Sequence, residues 1–101
     1  MLSTMKTAEL PHLTVYQTGK TFKVLQVTGS GGMSMPEHFC TGEAVLVVQR
    51  GSAVLRMKGE EFPLKQHDAM VIPKDERHAL VIDEDFQSHV IMGVDAEIKF
   101  A

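Results

Sequence analysis

The 101-residue sequence predicts a small all-β barrel or sandwich. Glycine and proline recur at short intervals, and the segments between them are short runs rich in β-branched residues, which is typical of strands joined by turns. No stretch longer than about ten residues keeps a helical apolar period free of glycine and proline. These observations leave room for at most one or two short helical turns.

Six apolar runs are predicted as strands, and in chain order they are residues 21–28, 44–49, 52–57, 69–72, 79–82 and 89–92. The N-terminal segment 3–10 is compatible with either one helical turn or an edge strand. The charged runs 74–77 and 83–85 predict solvated turns.

Alternation assigns faces within the runs 44–49 and 52–57. Ala44, Leu46 and Val48 share one face, which can serve the barrel interior. Val45 and Val47 form an apolar stripe on the opposite face, which needs a cover. A partner subunit and the chain's own N-terminal segment are both possible covers. In the next run, the same alternation places 53, 55 and 57 in the core, opposite the basic residues 56 and 58.

Composition excludes several classes of function. Ten basic and 13 acidic residues give a net charge of -3, with no Trp and one Tyr, so a basic nucleic-acid surface is not expected. No apolar run approaches the ~20 residues that a membrane span needs, and the first residues do not resemble a secretory signal. The single cysteine cannot form an intrachain disulfide, which predicts a reducing, cytoplasmic location.

Two segments have informative spacing. The first reads Gly32, five residues, His38, one residue, Cys40, three residues, Ala44, six residues, Gly51. The second reads His67, five residues, Pro-Lys-Asp at 73–75, two residues, His78, three residues, Ile82.

These spacings reproduce the frames of the two cupin motifs, and the sequence resembles a small single-domain cupin of the RmlC-like superfamily. The resemblance implies one domain over residues 1–101, with motif 1 at 32–51 and motif 2 at 67–82. It also implies the double-stranded β-helix, or jelly-roll barrel, of that family.

The resemblance implies a position for a metal centre, where the family places two His and a Glu from motif 1 and a His from motif 2. His38 and His78 match the first and last of these ligands, whereas Cys40 replaces the second His and Ala44 replaces the Glu. A set of two His and one Cys would suit one divalent transition metal, Zn²⁺ or copper and less typically iron. The alternative is that Cys40 is a small buried hydrophobe and the pocket holds no metal.

Other residues are weighed as neighbours of this pocket. Met33 and Met35 are expected to line the mouth of the barrel, and Leu46 to line its interior. Glu43 either lies at the surface or turns inward through a β-bulge at the preceding glycine. His89 either faces the pocket or is a hydrogen-bonded histidine of its strand.

Three functions are compatible with these residues. The first is the binding of a small-molecule ligand in the barrel by His38, Cys40, His78, Met33, Met35 and Leu46. The second, the alternative to ligand binding, is a metal-dependent enzyme of the dioxygenase or isomerase type that uses the His/Cys/His set. The third is a structural module with a vestigial pocket. The sequence also predicts a homodimer through the Val45 and Val47 stripe.

Overall fold

The computed structural model of the protein describes residues 10–101, and these residues form eight β-strands and no helix. The strands are β1 (His12–Thr18), β2 (Phe22–Gly29), β3 (Ser34–Cys40), β4 (Ala44–Met57), β5 (Glu60–Lys65), β6 (Ala69–Ile72), β7 (His78–Gly93) and β8 (Ile98–Phe100). The prediction of an all-β fold is confirmed. The helical turn or edge strand considered for segment 3–10 lies outside the described residues, except at Leu10. Leu10 belongs to neither a helix nor a strand. Within the described residues, no helix is long and apolar enough to cross a membrane.

The strands form two antiparallel five-stranded layers that share their two longest members. In the first layer the order is β1-β2-β7-β4-β6, with β7 contributing its second half and β4 its first half. In the second layer the order is β8-β3-β7-β4-β5, with the other halves of β4 and β7. This arrangement is the predicted jelly-roll barrel.

Strands β4 and β7 each join two runs that the sequence analysis kept apart. The interruption predicted at Gly51 is a bend inside β4, where the pairing with β7 shifts register between Val48 and Ala53. Gly51 has φ +81°, and a Cβ there would overlap the carbonyl oxygen of Asp85 on the facing strand. The prediction that 83–85 form a turn is wrong, because these exposed acidic residues continue β7 through the bend.

Strand β5 lacked a recognisable strand pattern because it is rich in charge and contains Pro63. Among the described strands it pairs only with β4, so the proline occupies an edge strand, where a missing backbone donor is tolerated. Strand β8 has three residues, too few for a periodic pattern.

The predicted faces are confirmed in both halves of β4. The inward set, which comprises Ala44, Leu46, Val48, Ala53, Leu55 and Met57, is buried in the core. Val45 and Val47 on the outer face are half-buried. In register with Val45 lie Val71 of β6 and Ile91 of β7, so the apolar stripe continues across three strands.

Candidate functional site

A cavity opens between the two layers, and its lining is almost entirely apolar. Of the fourteen described residues that line it, eleven are aliphatic or methionine, and the remaining three are His38, Cys40 and His78. The space that the centres of water-sized molecules can occupy is about 30 Å³. That is room for about two ordered waters.

The two histidines come together because β3 and β7 are neighbouring strands. His38 pairs directly with His78 in the ladder, and both side chains point inward, 5% and 6% exposed. Their ring centroids are 4.2 Å apart with the planes at 64°. The edge-to-face arrangement suits two aromatic rings in contact.

Each histidine is fixed by the same local hydrogen bond. Nδ1 of His38 lies 2.7 Å from the carbonyl oxygen of Pro36, and Nδ1 of His78 lies 2.9 Å from that of Glu76. A carbonyl oxygen only accepts, so Nδ1 is the donor and carries the proton in each neutral ring. The lone pair is therefore on Nε2, and within residues 10–101 neither Nε2 has a hydrogen-bond partner.

Burial lowers the pKa of both histidines below the ordinary value of 6.5. The bond to Pro36 partly offsets this effect at His38, while the neighbouring His78 adds to it. At His78 the bond to the Glu76 carbonyl and the Glu76 carboxylate both act in the opposite direction, raising the pKa. Because the net shift is downward, both rings are neutral at pH 7.

Cys40 lines the same cavity, but its thiol is engaged elsewhere. Its side chain is 3% exposed, and Sγ lies 3.7 Å from the Met92 sulfur as a weak hydrogen-bond donor. In residues 10–101 no group of three or more His, Cys, Asp or Glu side chains is arranged to hold a metal ion. Two imidazoles are thus oriented as ligands would be, whereas a third protein donor is not in place. The described residues do not fit the three-ligand His/Cys/His centre.

Ala44 lies where the resemblance would place a carboxylate. It is 2% exposed, begins β4 and lines the cavity. Its methyl group brings neither a charge nor a hydrogen-bonding atom to the cavity wall.

The remaining predicted pocket residues divide into two groups. Met35 and Leu46 line the cavity. Met33 lies outside the lining, before the start of β3, where its sulfur is 3.3 Å from the backbone nitrogen of Ser30.

His89 and Glu43 also lie away from the cavity. The ring of His89 stacks on Tyr16 with centroids 4.7 Å apart, and its Nε2 lies 3.2 Å from the Gln26 side-chain oxygen. Glu43 is exposed in the turn before β4. Each therefore follows the non-ligand interpretation considered in the sequence analysis.

The loop before His78 keeps its sharp turn despite the missing motif glycine. Asp75, which replaces that glycine, has φ +62°, a conformation that aspartate adopts more readily than most residues. Its backbone N–H donates to the Cys40 carbonyl at 2.8 Å. The loop is thereby tied to the end of β3, and β7 begins with His78 opposite His38.

Several cavity residues were not singled out from the sequence. Leu13 comes from β1, Met92 from the end of β7 and Ile98 from β8. A signal for Met92 was available, because Phe86, Val90 and Met92 are apolar residues at even spacing and therefore share one face of β7. Strand β8 offered no such signal.

One of the comparisons with known proteins identifies a family. Residues 24–94 match the family model of the cupin domain. No curated protein matches the chain.

Several solved structures resemble this chain in fold. A protein with a double-stranded β-helix domain from Klebsiella pneumoniae has TM-score 0.80 at 18% identity, covering 95% of this chain and 88% of its own. The DMSP lyase DddQ from Ruegeria pomeroyi has TM-score 0.82 at 16% identity, covering 91% and 52%. A variant of salicylate 1,2-dioxygenase from Pseudoaminobacter salicylatoxidans has TM-score 0.79 at 16% identity, covering 88% and 30%. This chain therefore spans about half of the lyase and under a third of the dioxygenase. At these identities the likeness shows the fold alone.

Proposed function

Since the chain belongs to the cupin domain family, whose fold alone does not decide an activity, we propose from the site itself that it binds a small molecule in its barrel cavity. The ligand is largely apolar and occupies the space between the two layers. His38 and His78 supply its polar contacts, and Met35, Cys40 and Leu46 contribute to the walls.

One observation carries this proposal: two neutral imidazoles face an otherwise apolar cavity. Small-molecule sites are typically concave and apolar, with a few polar groups that fix orientation. The two Nδ1 bonds to the backbone hold both rings in place before any ligand arrives. Such preorganisation reduces the ordering cost of binding.

The similar structures add an analogy of fold. Two of them are enzymes, a lyase named for DMSP and a dioxygenase named for salicylate. The same barrel therefore occurs in proteins that act on small molecules, which supports a small-molecule ligand without identifying one.

The proposal is tested by blocking the cavity. Ala44→Leu adds volume to its wall, whereas Ala69→Leu makes the same change at an exposed position on the neighbouring strand β6. A library of small apolar compounds is screened by the shift in melting temperature of each protein. Compounds that stabilise the parent and Ala69→Leu but not Ala44→Leu support the proposal. Compounds that stabilise all three proteins equally would show that they bind outside the barrel.

The alternative is a metal-dependent enzyme of the dioxygenase or isomerase type, with one zinc, copper or iron ion. The orientation of His38 and His78 favours it, because hydrogen bonding of Nδ1 to a carbonyl is the usual way to present Nε2 to a metal. The missing third donor opposes it. The two functions are distinguished by measuring the metal content of the parent, His78→Ala and Ala44→Glu proteins after equilibration with each ion. If the protein is a metal-dependent enzyme, the parent takes up the metal, His78→Ala does not, and Ala44→Glu binds it more tightly. Equal, near-zero metal content in the parent and in Ala44→Glu would contradict this function.

A further inference from the structure

The hydrogen-bonding groups of the cavity are of one kind. Nε2 of His38 and Nε2 of His78 are acceptors, because each Nδ1 donates to a backbone carbonyl. Among the lining side chains of residues 10–101, the thiol of Cys40 is the one donor, and it already contacts the Met92 sulfur. The same described lining contains no Lys, Arg, Asp or Glu. A ligand therefore meets two acceptors, no available side-chain donor and no charge.

We infer that the ligand is an uncharged, largely apolar molecule with a hydroxyl group, such as a phenol. Its hydroxyl group donates a hydrogen bond to this histidine pair. The inference rests on the proposed function, since it specifies what the same cavity binds. The hydroxyl hydrogen bonds to Nε2 of His38 or His78, and the ring occupies the aliphatic part of the cavity.

Charged ligands fit this cavity poorly. A carboxylate needs donors or a cation, and the lining offers neither, so its burial would cost several kcal/mol. An ammonium group would find acceptors but no anion. A phenol remains neutral at pH 7, because its ordinary pKa is about 10, and its aromatic ring matches the apolar walls.

The walls are able to adapt to a ring. The space that is wide enough for water is small, and Met35 is one of its boundaries. Methionine has three rotatable bonds and fills irregular gaps, so a change in the Met35 side chain accommodates a ring while Met92 keeps its contact with the Cys40 thiol.

The test compares phenol with toluene, which has nearly the same shape and no hydroxyl, and with benzoate, which is charged. Calorimetry measures the three affinities for the parent, His38→Phe, His78→Phe and His89→Phe. The ratio of phenol to toluene affinity is expected to fall about tenfold in at least one of the two cavity variants, since a hydrogen bond contributes up to about that factor. His89→Phe changes a histidine outside the cavity and is expected to keep the parent's ratio. Benzoate is expected not to bind.

Three results would overturn the inference. An unchanged ratio in both cavity variants shows that neither histidine accepts a hydrogen bond from the ligand. Toluene binding without phenol binding leaves the proposed function standing and removes the phenol class. Binding of neither probe removes the inference, and the library screen then decides the proposed function separately.

A second measurement does not depend on the variants being folded. Long-range ¹H–¹⁵N spectra of the parent report the Nε2 and Nδ1 resonances of each histidine. Phenol is expected to move an Nε2 resonance of His38 or His78, and to leave His89 unchanged. A titration that leaves both cavity histidines unchanged while phenol binds would place phenol elsewhere and refute the inference.

Discussion

The histidine pair predicts that the protein loses stability on mild acidification. Burial lowers the pKa of His38 and of His78 in the folded protein below the ordinary value of 6.5 that holds in the unfolded chain. Below pH 6.5 the unfolded chain therefore takes up protons that the folded protein does not. The contribution of the pair to folding is fully present above pH 6.5, and it is lost as the pH falls toward the folded pKa values.

The size of the effect follows from the number of groups. Each histidine changes the free energy of unfolding by at most about 1.4 kcal/mol per pH unit, so the pair changes it by at most about 2.7 kcal/mol per pH unit. Glu76 reduces the effect at His78, because its carboxylate favours the protonated ring. The slope ends at the folded pKa values, below which both states carry the same protons.

The assay is urea denaturation between pH 8 and pH 5.5 in the parent and in two variants. The free energy of unfolding of the parent is expected to be level down to about pH 6.5 and then to fall. His78→Phe replaces one buried imidazole with a ring that takes up no proton and should reduce the slope, whereas His89→Phe changes a histidine outside the cavity and should retain it. A level profile in the parent down to pH 5.5, or an equal slope in His78→Phe, would refute the reasoning.

Three further predictions concern packing and assembly. Ser88 is fully buried and its hydroxyl has no hydrogen-bond partner among residues 10–101, so Ser88→Ala should raise the free energy of unfolding by about 1 kcal/mol. A clear decrease in that free energy, measured by urea denaturation, would contradict this. Gly51→Ala should lower the free energy of unfolding by at least about 3 kcal/mol, because a Cβ there overlaps the facing backbone. Gly59 has a similar φ and open space around it, so Gly59→Ala should lower that free energy by about 1 kcal/mol. Equal losses in the two variants would contradict the overlap. The homodimer stays a prediction, and light scattering should give a mass of about 22 kDa, twice 11.2 kDa. The double variant with Val45→Lys and Val47→Lys should give the monomer mass. A monomeric parent would contradict the prediction.

The strand runs were predictable where β-branched residues alternate between turn signals. Residues 69–72 of β6 match the predicted run, and β2 differs from its predicted run by one residue at each end. Joining the halves of β4 was not predictable, because a glycine between two apolar runs marks a turn as often as a bend. Whether β4 turns or bends at Gly51 depends on the facing strand, because Gly51 packs closely against the backbone of β7.

The site was predictable in its histidines and not in its thiol. Motif spacing placed His38 and His78 together, and the structure brings their rings into contact. The direction of the Cys40 thiol depends on Met92, more than fifty residues away in the chain. No local pattern specifies that contact, so the sequence could not separate a sulfur ligand from a sulfur in the core.

The sharing of β4 and β7 between both layers has a consequence for how the chain folds. Ala44 pairs with Met92 and Met57 with His78, so even the nearest of these partners are about 20 residues apart along the chain. Each layer contains one half of β4 and one half of β7, so the two layers are joined through the same two continuous strands. Unfolding is therefore all-or-none, and refolding is slow, in the range of milliseconds to seconds, because distant segments must meet before either layer gains its hydrogen bonds.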